Sequence, residues 1–191
     1  CFFFNALGSG LLMPLALLYF AGKTLSEKEI LYLGTIKFWS FSLTYFFIIP
    51  LISRFDSKKT IIFSLLFKLL SLSFLFTGQT FYICGLVMLA NGIATSVFSV
   101  AAKYYIKATS QNISESFSVR MTLNNTGAAI APVLITLFVF FSLPFAYALL
   151  ILTGVFTCGI VFFAGLRSCP GKPESHFYFF HFTDLTGRDT V

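Results

Sequence analysis

Six apolar stretches, each about the length of a bilayer crossing, follow one another from Cys1 to Gly165 and leave little chain between them. A helix needs about 20 mostly apolar residues to cross the hydrocarbon, which is about 30 Å thick, because each residue rises about 1.5 Å. The stretches are 1–20, 30–53, 60–77, 81–103, 121–141 and 144–165. Backbone groups in lipid cannot bond water, so only helices or a closed barrel can span. These runs are continuous rather than alternating, which excludes a barrel. Charged residues make up 10% of the chain, against about 25% in an average soluble domain. The chain therefore reads as an all-α membrane protein of six transmembrane helices (residues 1–165), followed by a polar tail over 166–191.

The formal net charge of +6 raises the question of nucleic acid, and the placement of the charges answers it. Arg54, Lys58 and Lys59 follow span two, Lys103, Lys107 and Arg120 lie between spans four and five, and Arg167 and Lys172 follow span six. The opposite side carries only Lys23 and Lys28. Basic loops mark the cytoplasmic face, so both ends are expected there. The pattern is one of topology, with the lipid bilayer and not nucleic acid as partner. The short loops fit a bacterial inner membrane.

Cys1, Cys84, Cys158 and Cys169 show neither pairing nor metal spacing. The sequons at Asn112 and Asn124 fall in an expected cytoplasmic loop and at a helix start, where glycosylation is not expected. The first run begins at once, without a basic leader, so the start is expected to be clipped. The tail carries an aromatic cluster, His176 to Phe182, which suits a membrane interface or a linker. Its two histidines lack further partners at metal-site spacing, so no metal or cofactor is expected.

Polar groups are costly inside a membrane, so their positions are informative. At about 100° per residue, Gly34, Lys37, Ser40 and Thr44 share one face of span two. Cys84, Asn91 and Thr95 align in span four, and Asn5 and Ser9 lie one turn apart in span one. Span five places Asn124, Gly127, Ala128 and Ala131 on one stripe with Asn125 beside it. Such stripes line a cavity, or they are small-residue faces that let helices approach closely. Lys37 and Lys68 are cations within apolar runs, and every Asp and Glu lies in a loop or the tail. Lys37, about seven residues or about 10 Å from the outer end of its span, either snorkels or makes structural hydrogen bonds, or it meets an anionic group or a missing helix. Lys68 sits nearer mid-span, and the sequence offers no account of it.

The loops and spans resemble the amino-terminal six-helix half of a major facilitator superfamily transporter, close to the drug-efflux branch. The segment "LISRFDSKKT" resembles that family's G-x-L-a-D-R-x-G-R-K motif, with Leu51, Arg54 and Lys58 in place. Ile49, Ser53, Asp56 and Ser57 stand at its glycine, aspartate, second glycine and next basic positions. The resemblance implies a cytoplasmic gate there, with Asp56 partly substituting for the carboxylate and Arg120 nearby. "GLVMLANGIATSVF" is similar to the R-x-x-Q-G-x-G stretch, with Asn91 and Gly92 fitting and Met88 at the arginine position that the family associates with proton coupling. "SVRMTLNNTGAAIAPVL" is similar to an antiporter segment, S-x-R…N-x-G-a-a-x-G-P. Ser118, Arg120, Asn125, Gly127 and Pro132 are in place, and Ala131 replaces a glycine. Gly127, Ala131 and Pro132 would serve helix packing and bending. "GSGLLMPLALLY" resembles the family's opening helix.

The resemblance implies two inverted three-helix repeats, with spans one, two, four and five around a cavity and three and six outside. It also implies a secondary transporter that moves a small solute or drug by alternating access against a second six-helix bundle. That bundle would be a missing part of the chain or another copy. Substrate-cavity candidates are Asn5, Lys37, Asn91, Asn124 and Asn125. The alternative is a truncated, non-transporting remnant that acts through association with another membrane chain. No paired carboxylates, zinc spacing or nucleophile–base set converges within the spans, and Gly8-Ser9-Gly10 is too short and too apolar in context for a phosphate loop. An enzyme is not expected.

Overall fold

The computed structural model describes residues 2–20, 25–52, 55–76 and 80–165. They form six helices: α1 (Phe2–Phe20), α2 (Glu27–Ile52), α3 (Ser57–Ser73), α4 (Phe81–Thr109), α5 (Ile113–Phe140) and α6 (Phe145–Ala164). A 3-10 turn, Phe74–Phe76, extends α3. Five of the described helices, all but α2, are long and apolar enough to cross a membrane. At 26 residues α2 is also long enough. The tail, with its aromatic cluster, lies outside the described residues.

Local chemistry sets the helix ends. Ser26 and Glu29 form a reciprocal cap: the Ser26 N–H and hydroxyl both donate to Glu29 Oε2 at 2.7 Å, and the Glu29 N–H donates to Ser26 Oγ at 3.3 Å. The Ser26 backbone bond, and then its hydroxyl bond, hold the Glu29 carboxyl below its ordinary pKa. Asp56 caps α3 by accepting from the Lys58 and Lys59 N–H groups at 2.8 and 3.3 Å. Asn112 caps α5 by accepting from the Glu115 N–H at 3.3 Å. That cap starts α5 early, and α4 runs on to Thr109. The expected long polar loop over 104–120 contracts to Ser110, Gln111 and Asn112 as a result. Hydropathy marks the part of a helix inside hydrocarbon, and here both helices project beyond it.

The turn between α5 and α6 is equally tight. Ser142 takes a left-handed φ of 48°. Its N–H donates to the Val139 carbonyl, and the Leu143 N–H reaches back to Phe138 at 3.1 Å, which closes a Schellman turn. Tyr19 donates its hydroxyl to the Leu143 carbonyl at 2.6 Å and ties the end of α1 to this turn.

The main helix contacts are α1 with α5, α2 with α4, α3 with α4, α1 with α6, and α3 with α6. Renumbering each helix by three turns α1·α5 into α4·α2 and α1·α6 into α4·α3, and maps α3·α6 onto itself. The contact pattern therefore has the symmetry of two three-helix repeats. Shifting by three helices reverses direction in an up-and-down chain, so the repeats are inverted. The α1·α5 and α4·α2 seams each close on a glycine. A Cβ built on Gly127 would stand 2.5 Å from the Phe3 carbonyl, and one on Gly92 would stand 2.5 Å from the Lys37 carbonyl. At both crossings backbone meets backbone, and only glycine admits it.

Candidate functional site

The buried polar side chains of the bundle gather at one level. In α3 the inward face reads Ile61, Ser64, Leu65, Lys68, Ser71, Leu72, all buried, at the three- and four-residue spacing of one helix face. Ser64 and Ser71 donate their hydroxyls back to the Ile61 and Lys68 carbonyls, each at 2.7 Å. This leaves Lys68 to reach across the bundle. It is fully buried, and its Nζ donates to Asn5 Oδ1 at 2.6 Å and to Ser9 Oγ at 3.0 Å on α1. The Phe156 and Phe98 rings flank the ammonium, with centroids at 5.6 and 6.0 Å.

Lys37 arrives at the same serine from α2. It lies ten residues into that helix, about 15 Å from its start, and its Nζ donates to the Ser9 carbonyl at 3.2 Å. It is half-buried. Ser9 thus holds two cations, one on its hydroxyl and one on its carbonyl.

Asn91 is a buried amide of α4. It lies on the face of α4 that also carries Met88 and Phe98. Phe98 packs edge-on against Phe2 at the start of α1, while Met88 shares a small apolar gap with Leu12 and Leu15 further along α1. Asn91 lies between Met88 and Phe98 along α4. It is fully buried, and neither of its amide atoms has a hydrogen-bond partner. The neighbouring Gly92 sits on the Lys37 carbonyl.

The structure therefore brings Asn5 and Lys37 together through Ser9 and Lys68, and it buries Asn91 on α4 next to Gly92, which meets the Lys37 carbonyl. It does not bring in Asn124 and Asn125, which are exposed on α5. Their stripe neighbours Gly127 and Ala131 are buried and pack on α1: Gly127 meets Phe3, and Ala131 lies against Gly10. Pro132 is exposed within α5, where its carbonyl accepts from Thr136 Oγ1 at 3.0 Å.

The gate-motif residues lie at the other end of α2 and α3. Arg54 and the side chain of Leu51 fall outside the described residues. Asp56 is the α3 cap, and Lys58 Nζ donates to the Ala164 carbonyl at the end of α6 at 3.1 Å. Arg120 donates to the Ser99 carbonyl at 3.4 Å and lies over the Phe2 and Phe117 rings, at 5.5 and 6.0 Å. Lys103 reaches Tyr45 Oη at 2.6 Å near the same end. These basic groups strap the ends of helices together.

Lys68 is the residue whose role sequence reasoning missed. The signal was present in the Ser64–Lys68–Ser71 spacing, which puts three polar groups on a face whose other members are Ile61, Leu65 and Leu72.

No curated protein and no solved structure matches the chain. The family model of the Major Facilitator Superfamily matches residues 1–181, nearly the whole length. Six packed helices in two three-helix repeats, a polar cluster at mid-depth and that match lead to one conclusion: this multi-pass integral membrane protein belongs to the Major Facilitator Superfamily, a family of transporters rather than enzymes.

Proposed function

We propose that the chain moves a small solute across the membrane by alternating access, using the cluster around Ser9 as its solute site. The observation that carries this reading is the convergence of Lys37 and Lys68 on Ser9. Polar groups cost several kcal/mol at this depth, and a bundle held only by packing needs none of them. Asn5 and Ser9 position Lys68, Lys37 faces the open side between α1 and α2, and Asn91 offers an amide from α4.

A six-helix bundle rocks only against a second one. The partner surface in this reading is the flank formed by α2 and α5, where Asn124 and Asn125 are exposed. The second bundle is either a continuation of the chain or another copy. The segment from Ser118 to Pro132, with its likeness to antiporters, favours export in exchange for an ion. The excess of basic residues at the Lys58, Lys103 and Arg120 end supports a cytoplasmic location for that end, as in a bacterial inner membrane.

Transport in proteoliposomes tests the assignment. Lys37→Ala is expected to abolish solute movement and Asn125→Ala to weaken it. Unchanged transport in both variants would remove the site from these residues.

A further inference from the structure

Among the described residues, the bundle interior holds two lysine side chains and no carboxylate. Of the seven acidic residues, Glu27, Glu29, Asp56 and Glu115 sit in the first turn or cap of a helix, and Glu174, Asp184 and Asp189 belong to the tail. Lys68 rests on neutral oxygens and two aromatic rings. Lys37 makes a single hydrogen bond among the described residues, to Ser9, although an ammonium carries three donors. A buried ion without a counter-charge costs several kcal/mol, and a second like charge beside it adds to that cost. The rings and oxygens soften the penalty without neutralising it.

We infer that the Lys37–Lys68 cluster binds the anionic group of a small solute, a carboxylate or an oxyanion of the phosphate kind. This rests on the transport reading of the same cluster and adds the class of solute. An anion between the two lysines takes donors from both and supplies the missing charge. A cation would meet repulsion from both, and a neutral solute would leave the charge unbalanced. Asn91, buried on α4 next to the Gly92 that meets the Lys37 carbonyl, has Nδ2 and Oδ1 unpaired among the described residues and is a further candidate donor and acceptor for the solute. Lys37, half-buried where α1 and α2 barely touch, is the side of entry. Depth favours a solute over a lipid: Lys37 lies about seven residues, or about 10 Å, inside the span that begins at residue 30, in a hydrocarbon core about 30 Å thick.

The test is thermal unfolding of the full native chain in phosphatidylcholine nanodiscs at constant ionic strength. The probes are benzoate, succinate, phosphate and sulfate, with benzamide and benzylamine as neutral and cationic counterparts of benzoate. At least one anion is expected to raise Tm saturably, and benzamide and benzylamine are not. Lys37→Gln is expected to weaken that anion at least about tenfold, the scale of a lost charge-assisted hydrogen bond, and Lys37→Arg to restore it. Lys37 carries the test because it is half-buried, whereas replacing fully buried Lys68 can unfold the chain. No response to any anion, or an equal response in Lys37→Gln, would overturn the inference. So would stabilisation that appears only when anionic phosphatidylglycerol is added, because the source would then be a headgroup. Saturable uptake of benzamide or benzylamine by proteoliposomes, without anion binding, would overturn the anion class and leave transport standing. Anion binding without uptake would keep the site and sink the transport reading.

Discussion

Replacing Gly92 by alanine adds one methyl at the α2·α4 seam, and the structure fixes what that methyl meets. The new Cβ would clash with Ser40 Oγ and lie 2.5 Å from the Lys37 carbonyl oxygen and 3.1 Å from the Phe41 nitrogen. The hydroxyl can rotate away. The other two atoms are backbone, so the helices must separate by roughly 1 Å to restore ordinary contact at about 3.5 Å. Overpacking of this kind costs about 1–3 kcal/mol. The intrinsic helix preference of alanine over glycine returns about 1 kcal/mol at most.

Gly154→Ala on α6 is the internal control, since its Cβ would meet nothing within 4 Å and only the preference remains. The assay is thermal unfolding of both variants in the same detergent. About 2–4 °C of Tm accompanies each kcal/mol in a domain of this size. Gly92→Ala is therefore expected to fall several degrees below the parent, and Gly154→Ala to match or exceed it. Gly127→Ala, which meets the Phe3 carbonyl at 2.5 Å, should behave like Gly92→Ala. Equal melting of Gly92→Ala and Gly154→Ala would refute the close backbone crossing of α2 and α4 at Lys37 and Gly92.

Other predictions concern single groups. Asp56→Ala removes the α3 cap and should cost about 1 kcal/mol, whereas Asp56→Asn should retain most of it; chemical denaturation of the pair reads the difference. Ser142→Gly relieves a left-handed residue in the α5–α6 turn and should stabilise by about 1 kcal/mol, seen as a higher Tm. Because the Glu29 carboxyl titrates below its ordinary value in the folded chain, its cap contributes above that ordinary value and is lost as pH falls through the lowered one. The Tm gap between the parent and Glu29→Ala should accordingly close on acidification. Asn91→Leu exchanges an unpaired buried amide for an apolar group of similar size and should stabilise by about 1–3 kcal/mol, while solute binding falls. Destabilisation instead would show that the amide is paired.

The helices were legible because run length and apolarity are direct consequences of the bilayer. Their projecting ends were not. The polar turns of α4 and α5 beyond the hydrocarbon look like loop by hydropathy, and only the Asn112–Glu115 spacing hints at a helix start. Among the candidate site residues, Asn5, Lys37 and Asn91 stood out in the sequence because each shares a face with other small or polar residues. On α5 the same reasoning joined Asn124 to Gly127 and Ala131. A stripe at such spacing is broader than the seam α1 covers, so the small residues are buried and the amides stay outside. Lys68 had no partner visible along its own helix, because its partners are Asn5 and Ser9, some sixty residues away in sequence.

The repeat symmetry makes Lys68 more informative than burial alone would. The two repeats are alike in contact pattern and in the glycines at Gly92 and Gly127. They differ in chemistry where α3 and α6, the symmetry-related pair, face each other. There α3 contributes Lys68, and α6 contributes Phe156, fully buried with its ring toward the ammonium. Packing demands treat the two helices equally, so they do not explain a cation on one and a phenyl on the other. Asn5, Ser9 and Lys37 belong to the same repeat as Lys68, and among the described residues α4 adds the buried Asn91 and Ser96. The scaffold is duplicated and the polar chemistry is not. A group needed for folding alone would be expected in both repeats, so the asymmetry points to a one-sided task, and binding a single solute is such a task.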